Sequence, residues 1–545
     1  MNTKQLKAKV LDLAIHGKLL SPETVAELKK SPDYETSDVL LEKIRKEKEE
    51  KIAKGELKRD KKDSYIFVGD DKRHYEKFDD GTIKDIEDEI PFDVPEGWAW
   101  CKLRDILTVI RNGATIKQSK DSKGLPITRI ETISQGIIDR NKFGYADIFD
   151  EELFKKYYLQ NNDILMSHIN SPIHLGKCAI YKQINDNEKI IHGMNLLLLR
   201  FSYFVSSEFI MFVFKSSYFK EYVQMNMKEA VNQASISTKQ ISDCLIPMPS
   251  IIEQKQIVTE IEKLYQHIDT IENNKVDLQI AIKKAKSKIL DLAIHGKLVP
   301  QDANDEPASV LLERLRSEKE EKIAKGELKR DKNDSYIYKG SDNCYYQRFA
   351  DGSEEQAEIT YEIPPNWVWC SLGEISTKLK RGKSPTYTKK SSIMAFAQKC
   401  NQKEGPTTLE KALYIDESTL KKYPDEEKMQ FNDIVINSTG TGTLGRVGVF
   451  NCKVPDDVVA VYPDSHVSSV RINSLLYAKY FYYFVKNKQS YLEEMGEGST
   501  NQKELKIDTI ANLIVPLPPL DEQKRIVEKI ENAFAKLDSI TKQLE

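Results

Sequence analysis

Residues 11–19, Leu-Asp-Leu-Ala-Ile-His-Gly-Lys-Leu, recur without a change at residues 290–298. The fifteen residues 47–61, EKEEKIAKGELKRDK, recur in the same way at 318–332. The period of about 270 residues is far longer than that of a solenoid repeat. The sequence therefore predicts a duplicated domain pair, and we expect two similar sites related by a pseudo-two-fold axis.

Shorter repeats extend this duplication and make it circular. The middle segment 251–298 reads first like residues 521–545 and then like residues 1–19, so we expect the two chain ends to lie close together. The shorter repeats are the segments Pro-Glu-Gly-Trp-Ala-Trp-Cys at 95–101 and Pro-Pro-Asn-Trp-Val-Trp-Cys at 364–370, and the junctions Ile-Pro-Met-Pro at 246–249 and Val-Pro-Leu-Pro at 515–518, each followed by Glu-Gln-Lys.

The segment after Pro249 has the spacing of a coiled-coil helix. Its apolar positions step by four and three residues, and Gly296 is expected to end the helix. The C-terminal copy, Ile526 to Leu544, is expected to continue in space into Leu6–Leu13, and a pseudo-two-fold axis would place the two long helices antiparallel. The seam positions are Ile257, Ile261, Leu264, Ile268, Ile271, Lys275, Leu278, Ile282, Ala285, Ile289 and Leu292.

Composition narrows the class of protein. Hydrophobic residues make up 40% of the 545 residues, enough for real cores, and charged residues make up 31%, which favours exposed helices. No stretch reaches the 18 apolar residues of a membrane span, and the start of the sequence has no signal-like apolar region, so we expect a cytoplasmic protein. Seven cysteines without metal-ligand spacing are typical of reduced thiols. A net charge of −3 means that any DNA-binding cations must be locally clustered.

Two segments differ from the helical repeats and predict mixed α/β domains. They contain short β-branched and aromatic runs between Gly, Asn, Asp and Pro residues, with helices expected at Ser207–Lys220 and Leu476–Asn487. Their interiors share little sequence, the pattern expected if each domain reads a different target. The predicted regions are an N-terminal helical region and linker at 1–87, domains at 88–250 and 358–520, a central helical region and linker at 251–357, and a C-terminal helix at 521–545.

Catalytic and cofactor motifs are incomplete in this sequence. Gly440–Gly445 matches G-x-G-x-x-G, but a strand-like run follows where a nucleotide-binding fold needs a helix. Gly382-Lys383-Ser384 resembles the end of a phosphate-binding loop, but Thr377 stands where the first glycine is needed. We therefore expect no catalytic residue, no metal and no cofactor.

Two divergent domains set among near-identical helical segments resemble the specificity subunit of Type I restriction–modification systems. The resemblance covers essentially the whole chain, and Thr443-Leu444-Gly445-Arg446-Val447-Gly448 is one of its carriers, together with the repeats quoted above. In the first domain the corresponding run is Leu175-Gly176-Lys177-Cys178-Ala179, which departs from this pattern and weakens the transfer of loop residues there.

The resemblance implies an α/β (α+β) protein with two target recognition domains joined by long antiparallel coiled-coil helices. Each domain would read half of a bipartite DNA sequence, and the helices would fix the gap between the halves. It also implies three partners: double-stranded DNA, two modification (methyltransferase) subunits, and restriction (motor–nuclease) subunits. The subunit itself would do no chemistry.

Loops of suitable composition supply the candidate DNA contacts, because base edges are read by polar and basic side chains. The glycine pairs Gly113 with Gly382, and Gly176 with Gly445, suggest that the loops correspond between the halves. A protein-binding coiled-coil scaffold and a fused methyltransferase or nuclease remain as alternatives. The candidates are Arg111, Asn112, Lys117, Lys120, Ser167, His168, Asn170, His174 and Lys177 in the first domain, and Lys380, Arg381, Lys383, Asn437, Ser438, Thr439, Thr441, Thr443 and Arg446 in the second.

Overall fold

The chain folds into two compact units of nearly equal length. Unit 1 comprises Met1–Asn274 and unit 2 comprises Lys275–Glu545. In this computed structural model the described residues are 2–59, 63–119, 124–134, 136–146, 151–230, 233–326, 334–403, 406–440, 442–498 and 503–544.

Unit 1 combines helices with small antiparallel sheets. Its helices are α1 (Thr3–Ile15), α2 (Pro22–Leu28), α3 (Ser37–Ala53), α4 (Leu103–Ile106), α5 (Glu151–Tyr157), α6 (Ser207–Lys215), α7 (Ser217–Asn226), α8 (Thr238–Ser242) and the start of α9 (Ile251–Ile294). Its strands are β1 (Ser64–Val68), β2 (His74–Phe78), β3 (Ile83–Asp85), β4 (Ala99–Lys102), β5 (Leu107–Asn112), β6 (Leu125–Ile127), β7 (Gly144–Ala146), β8 (Ile164–Ser167), β9 (Ile169–Asn170), β10 (Cys178–Ile180), β11 (Leu196–Phe201), β12 (Lys228–Ala230), β13 (Gln233–Ser235) and β14 (Leu245–Met248). Short 3-10 helices lie at Glu87–Glu89, Ile130–Ile133, Arg140–Lys142 and Pro172–His174.

The central sheet of unit 1 has the strand order β10-β8-β11-β5 and is antiparallel throughout. All four residues of β8 are buried, and the run Leu196–Leu199 in β11 is buried on both faces. Continuous apolar runs of this kind are expected where a strand is covered on both sides. On one side Ile210 and Phe214 of α6 join the same core as Leu199.

Helices α1 and α9 contact each other in unit 1. Lys7 of α1 forms an ion pair of 2.6 Å with Asp269 of α9, and its ammonium group lies over the Tyr265 ring. At the other end of α1 the chain turns at Gly17, whose φ of 65° favours glycine. A Cβ there would lie 2.2 Å from Cγ of Pro95, so this turn also needs the space that glycine leaves.

Unit 2 repeats most of these elements. Its helices are the second part of α9, followed by α10 (Ala308–Ala324), α11 (Ala478–Asn487), α12 (Gln489–Glu494), α13 (Ile507–Ala511) and α14 (Leu520–Leu544). Its strands are β15 (Ser335–Lys339), β16 (Tyr345–Phe349), β17 (Glu354–Gln356), β18 (Val368–Ser371), β19 (Ser376–Arg381), β20 (Tyr387–Thr388), β21 (Ile393–Phe396), β22 (Leu413–Ile415), β23 (Ile434–Asn437), β24 (Val447–Val449), β25 (Ala460–Pro463), β26 (Val467–Ile472) and β27 (Ile514–Leu517). Short 3-10 helices lie at Gln398–Cys400, Glu417–Lys422 and Asp425–Glu427.

The central sheet of unit 2 has the order β24-β23-β26-β19, which is the topology of unit 1 strand for strand. Unit 2 adds a second four-stranded sheet, β20-β22-β21-β25, in which β21 and β25 are parallel. In the described part of unit 1 the corresponding stretch forms the two-stranded sheet β6-β7. The two units therefore share a framework and differ in what is inserted between its strands.

The helix pair of unit 1 also recurs in unit 2. Lys286 of α9 pairs with Asp538 of α14, and its ammonium group lies over the Phe534 ring. Gly296 has a φ of 64°, and a Cβ on it would lie 2.3 Å from Cγ of Pro364. The sequence repeats thus mark side chains that make the same contacts in each unit.

The predictions of mixed helix-and-strand domains and of a long central helix are confirmed, but the apolar seam is less continuous than expected. Ile257 and Ile261 are buried in unit 1, whereas Ile271, also in unit 1, is 58% exposed, and Leu278 in unit 2 is 40% exposed. Sequence periodicity finds the helix and its apolar stripe, but it does not show how far along the stripe another helix lies.

Two helix boundaries were also predicted differently. The helix expected at Ser207–Lys220 is two helices, α6 and α7, which join at Ser216; its hydroxyl group accepts the N–H of Phe219 and so starts α7. The helix expected at Leu476–Asn487 begins two residues later, at Ala478.

Candidate nucleic-acid interface

In unit 1 the strand register brings four strand ends to one edge of the central sheet. Asn112, the last residue of β5, lies opposite Leu197 of β11. Ser167, the last residue of β8, lies opposite Leu196, the first residue of β11. Cys178, the first residue of β10, pairs with β8 one residue before its end. The connections that leave β5 and β8 and those that enter β10 and β11 therefore meet at this edge, which we call the loop edge of unit 1.

Unit 2 has the same arrangement. Arg381, the last residue of β19, lies opposite Ser468 of β26. Asn437, the last residue of β23, lies opposite Val467, the first residue of β26. Val447, the first residue of β24, pairs with β23 one residue before its end. This is the loop edge of unit 2.

One glycine at each loop edge lies very close to the backbone of a neighbouring segment. A Cβ on Gly113 would lie 1.8 Å from the carbonyl oxygen of Gly193, and a Cβ on Gly382 would lie 2.1 Å from that of Pro463. Backbone cannot yield to a side chain at such distances, so both positions require glycine. The correspondence predicted for Gly113 and Gly382 is thus matched by the same close backbone approach in each unit.

A second glycine pair shapes the connection before β10 and β24. Gly176 and Gly445 have φ values of 75° and 74°, in the left-handed region. A Cβ on Gly445 would lie 2.6 Å from the backbone nitrogen of Glu493, and one on Gly176 would lie 3.2 Å from Val223. These loops therefore have a defined shape, set by backbone conformation and by the helix that follows α6 or α11.

The candidate contacts in unit 1 differ in exposure. Lys120 lies outside the described residues. Asn112, Lys117 and His174 are exposed, Arg111, Asn170 and Lys177 are half-buried, and Ser167 and His168 are buried.

The buried and half-buried candidates of unit 1 make contacts within the protein. The amide group of Asn170 donates to Oγ of Ser167 at 3.0 Å. Burial lowers the pKa of His168, which keeps its ring neutral. Arg111 lies at the end of β5, where its guanidinium group donates to the carbonyl oxygen of Lys156. The exposed side chains of this loop edge are then the ones that can reach a ligand directly.

The basic candidates of unit 2 are paired with acidic residues. Nζ of Lys383 lies 2.8 Å from a carboxylate oxygen of Glu427, and Nζ of the exposed Lys380 lies 3.8 Å from the same carboxylate. Arg381 pairs with Glu504. These side chains lie at the surface of the loop edge, but their charges are partly balanced there.

The first polar candidates of unit 2, Asn437 and Ser438, are buried. Oδ1 of Asn437 accepts from the amide group of Asn401 at 3.1 Å, and Oγ of Ser438 lies 2.5 Å from Oγ of Ser468. As at the end of β8 in unit 1, the residues at the end of β23 hold the following loop in place.

The following candidates lie nearer the surface. Oγ1 of Thr439 lies 2.6 Å from Nδ1 of the exposed His466. The hydroxyl group of Thr443 donates to Oε1 of Gln398 at 3.1 Å. Thr441 lies outside the described residues.

The side chain of Arg446 links two segments of the backbone. Its guanidinium group donates to the carbonyl oxygens of Asn401 at 2.9 Å and of Gly442 at 3.2 Å. It therefore ties the β23–β24 connection to the segment after β21, while remaining half-buried.

Sequence reasoning missed Glu427, His466 and Glu504 at the loop edge of unit 2. Glu427 is 44 residues from Lys383, and Glu504 is 123 residues from Arg381, so no local pattern joins them. The choice of candidates by basic and amide composition also passed over acidic side chains, which can accept hydrogen bonds from cytosine.

A buried ion pair braces the opposite edge of each sheet. Asp163 accepts two hydrogen bonds of 2.7 Å from Arg200. Asp433 accepts two of 2.8 Å from Arg471, and each aspartate side chain is 1% exposed. Paired, forked geometry of this kind holds adjacent strands in register.

Unit 2 adds a third charge to this brace. Lys378 lies opposite Arg471 in the sheet, where unit 1 has Val109 opposite Arg200. Its Nζ lies 3.6 Å from Asp433, and burial lowers the pKa of this lysine to about 8.

Other kinds of site are not found in the part of the chain that the structure describes. No group of three His, Cys, Asp or Glu side chains there is arranged to hold a metal ion. Among the same residues, no helix combines the length and apolar character needed to cross a bilayer.

Comparison with known proteins identifies a family. Residues 95–280 and 364–545 match the family described as Type I restriction modification DNA specificity domain. A protein of Methanocaldococcus jannaschii, named as a candidate type I restriction enzyme MjaX specificity subunit, is 30% identical over 444 residues, which cover 81% of this chain and 87% of that protein. The type I restriction enzyme EcoEI specificity subunit of Escherichia coli is 24% identical, over 99% of this chain and 91% of its own.

A solved structure has a similar fold. It is described as the structural basis of complex assembly and conformational transition of the type I R-M system. One of its chains superposes with a TM-score of 0.51 at 16% identity, covering 83% of this chain and 94% of that chain.

Proposed function

The chain belongs to the Type I restriction modification DNA specificity family, and we propose that it reads a bipartite, asymmetric DNA sequence and directs methyltransferase and restriction subunits to it. Specificity subunits are the non-catalytic, DNA-recognition component of Type I restriction–modification systems. The work of this chain is then recognition, and chemistry belongs to its partners.

The observation that carries the proposal is one loop edge built twice with different side chains. The strand order, the register and the close-approach glycines Gly113 and Gly382 agree between the units. The side chains that these frameworks present do not agree: unit 1 has Asn112 where unit 2 has Arg381, and the two sheets carry different insertions. A common framework with different contact groups suits two readers of two different half-sites.

Chemistry at the loop edges fits contact with DNA. Exposed basic and amide side chains, such as Lys117, Asn112 and Lys380, can contact phosphates or base edges. Each phosphate contact lowers binding as salt rises, whereas a base contact affects one position of the sequence. The buried candidates keep the loops in shape, so their part in recognition is indirect.

The helical regions are proposed to hold the partners and the spacing. We assign recognition to domains 88–250 and 358–520, and partner binding to regions 1–87, 251–357 and 521–545. The ion pairs Lys7–Asp269 and Lys286–Asp538 show that the same helix contact occurs in both units. We therefore infer that two modification subunits bind, one to each unit. Restriction subunits would also bind to this assembly. We propose that the assembly acts in the cytoplasm.

A domain exchange tests the bipartite proposal. Residues 358–520 are replaced with the corresponding domain of another family member, and methylated sites are mapped by sequencing after co-expression with the methyltransferase subunit. We expect one half of the recognised sequence to change, while the other half and the gap are retained.

The matched exchange of residues 88–250 should change the other half. If either exchange alters both halves, the two units do not read independently and the proposal is wrong. A hybrid protein is compared by circular dichroism first, so that loss of folding is not mistaken for loss of recognition.

A further inference from the structure

Arg381 and Glu504 form an ion pair at the surface of the unit 2 loop edge. Arg381 ends β19, and its guanidinium group also donates to the carbonyl oxygen of Ser465. Glu504 is held beside the β23–β24 connection by a backbone bridge to Thr439. The Arg381 side chain is 31% exposed and the Glu504 side chain 52%, so both head groups remain open to a ligand.

The surrounding groups leave this pair facing outward. Lys383, two residues from Arg381, pairs with Glu427 instead. Ser465 and the exposed His466 flank the pair on the connection into β26. An exposed ion pair of this kind contributes little to folding stability, so stability alone does not explain why both charges stand at this edge.

Unit 1 has neither the arginine nor the acid at this place. Asn112, the last residue of β5, occupies the position of Arg381, the last residue of β19. The backbone bridge between Thr439 and Glu504 corresponds to the pairing of Ile169 with Ser235. Ser235 is half-buried and offers a neutral hydroxyl group in place of the Glu504 carboxylate. The two units thus offer different hydrogen-bonding groups at one equivalent point.

We propose that Arg381 and Glu504 together read one G·C base pair in the half-site recognised by unit 2. An arginine donates to O6 and N7 of guanine, and a glutamate accepts from N4 of cytosine, in the major groove. The two head groups of one ion pair can serve the two bases of one pair, because each keeps hydrogen-bonding capacity beyond its partner. This inference rests on the proposed function and adds a specificity-determining pair to it.

The ion pair also organises both side chains before DNA arrives. Arg381 is held by Ser465 and Glu504 at once, so less side-chain freedom is lost on binding. The paired charges neutralise one another, so the pair adds little to non-specific attraction for phosphates. Its contribution is therefore expected in the choice of base rather than in overall affinity.

The test is selection of bound duplexes from a randomised DNA library by the full chain assembled with methyltransferase subunits. Three variants are compared with the unaltered protein: Glu504→Ala, Arg381→Ala and Glu497→Ala. Glu497 is the matched control, because it is an exposed acid near Glu504 that pairs with Lys506 at 2.7 Å. Hydrogen exchange of the β19 and β26 peptides checks that each variant is folded.

Glu504→Ala and Arg381→Ala should each relax the same single position of one half-site, with discrimination against the wrong bases falling by roughly 5- to 150-fold. The other half-site should be unchanged, and Glu497→Ala should select the original sequence. The inference is overturned if Glu504→Ala keeps full discrimination, or if the two variants relax different base pairs. An unaltered protein that selects no sequence at all would instead overturn the proposed function itself.

Discussion

Replacing Asp433 by asparagine should strongly lower the stability of the unit 2 sheet, although the two side chains have nearly the same shape. The carboxylate group is 1% exposed, accepts two hydrogen bonds from Arg471, and lies 3.6 Å from Nζ of Lys378. Asparagine keeps the volume, so no cavity forms, but the buried Lys378 and the half-buried Arg471 lose their counter-charge. Removing one partner of a buried ion pair costs about 3–5 kcal/mol.

That loss is a large fraction of the roughly 5–15 kcal/mol by which a domain is stable. It should be measured by native-state hydrogen exchange, read by mass spectrometry on β23 and β26, because this method reports each unit separately. A loss of about 3 kcal/mol corresponds to roughly 150-fold faster exchange through unfolding. Peptides from β8 and β11 of unit 1 serve as the internal reference.

Two further variants make the test discriminating. Asp163→Asn removes the equivalent acid in unit 1, where Arg200 is its ion-pair partner and Val109 replaces the lysine, so its effect should be smaller. Asp457→Asn changes an exposed acid and should have almost no effect. If Asp433→Asn slows or leaves exchange unchanged, or matches Asp457→Asn, the charge argument is refuted.

Three other predictions concern pH, spacing and connectivity. Burial lowers the pKa of His192 to about 4, so on acidification the unfolded chain binds a proton at this histidine before the folded chain does. The free energy of unfolding of unit 1 should therefore keep its full value above about pH 6.5 and fall by roughly 1.4 kcal/mol per pH unit between 6.5 and 4. Urea unfolding of the His192→Gln variant should show a weaker dependence on pH. Inserting four residues after Asn274 lengthens α9 by about 6 Å and should change the recognised spacer in methylation mapping; an unaltered spacer would show that α9 does not set the distance. A circular permutant that joins 545 to 1 by a short linker and opens at Asn274 should fold and still bind two methyltransferase subunits by light scattering, and a permutant that folds but binds none would contradict the circular repeat.

Internal repetition made the framework predictable from the sequence. Gly113 and Gly382 could be paired by position alone, and the structure gives both the same close approach to a carbonyl oxygen. Gly296 likewise predicted the end of α9, and the repeated Gly17 follows the end of α1 in the same way. Repetition works here because equivalent residues face equivalent constraints, which one copy alone would not reveal.

The candidate site was harder to predict, because sequence does not show which way a side chain points at the end of a strand. Asn437 and Ser438 have the polar composition of a DNA-contacting loop, yet both side chains are buried. Glu504 reaches Arg381 only through folding, from a distant part of the chain. Apolar periodicity likewise included Ile271 in the seam, although its side chain is exposed.

The boundary between the units falls at Asn274, inside α9. A change in the length of α9 therefore both shifts one unit along the helix axis and rotates it about that axis. Each added helical residue advances the axis by about 1.5 Å and turns it by about 100°. A single inserted residue would therefore move one reader by less than half a base-pair step while turning it by more than a right angle. Only insertions close to whole turns, such as four, seven or eleven residues, keep the angular phase. The proposed function therefore implies that a protein joined in this way changes the length of its DNA target only in discrete steps.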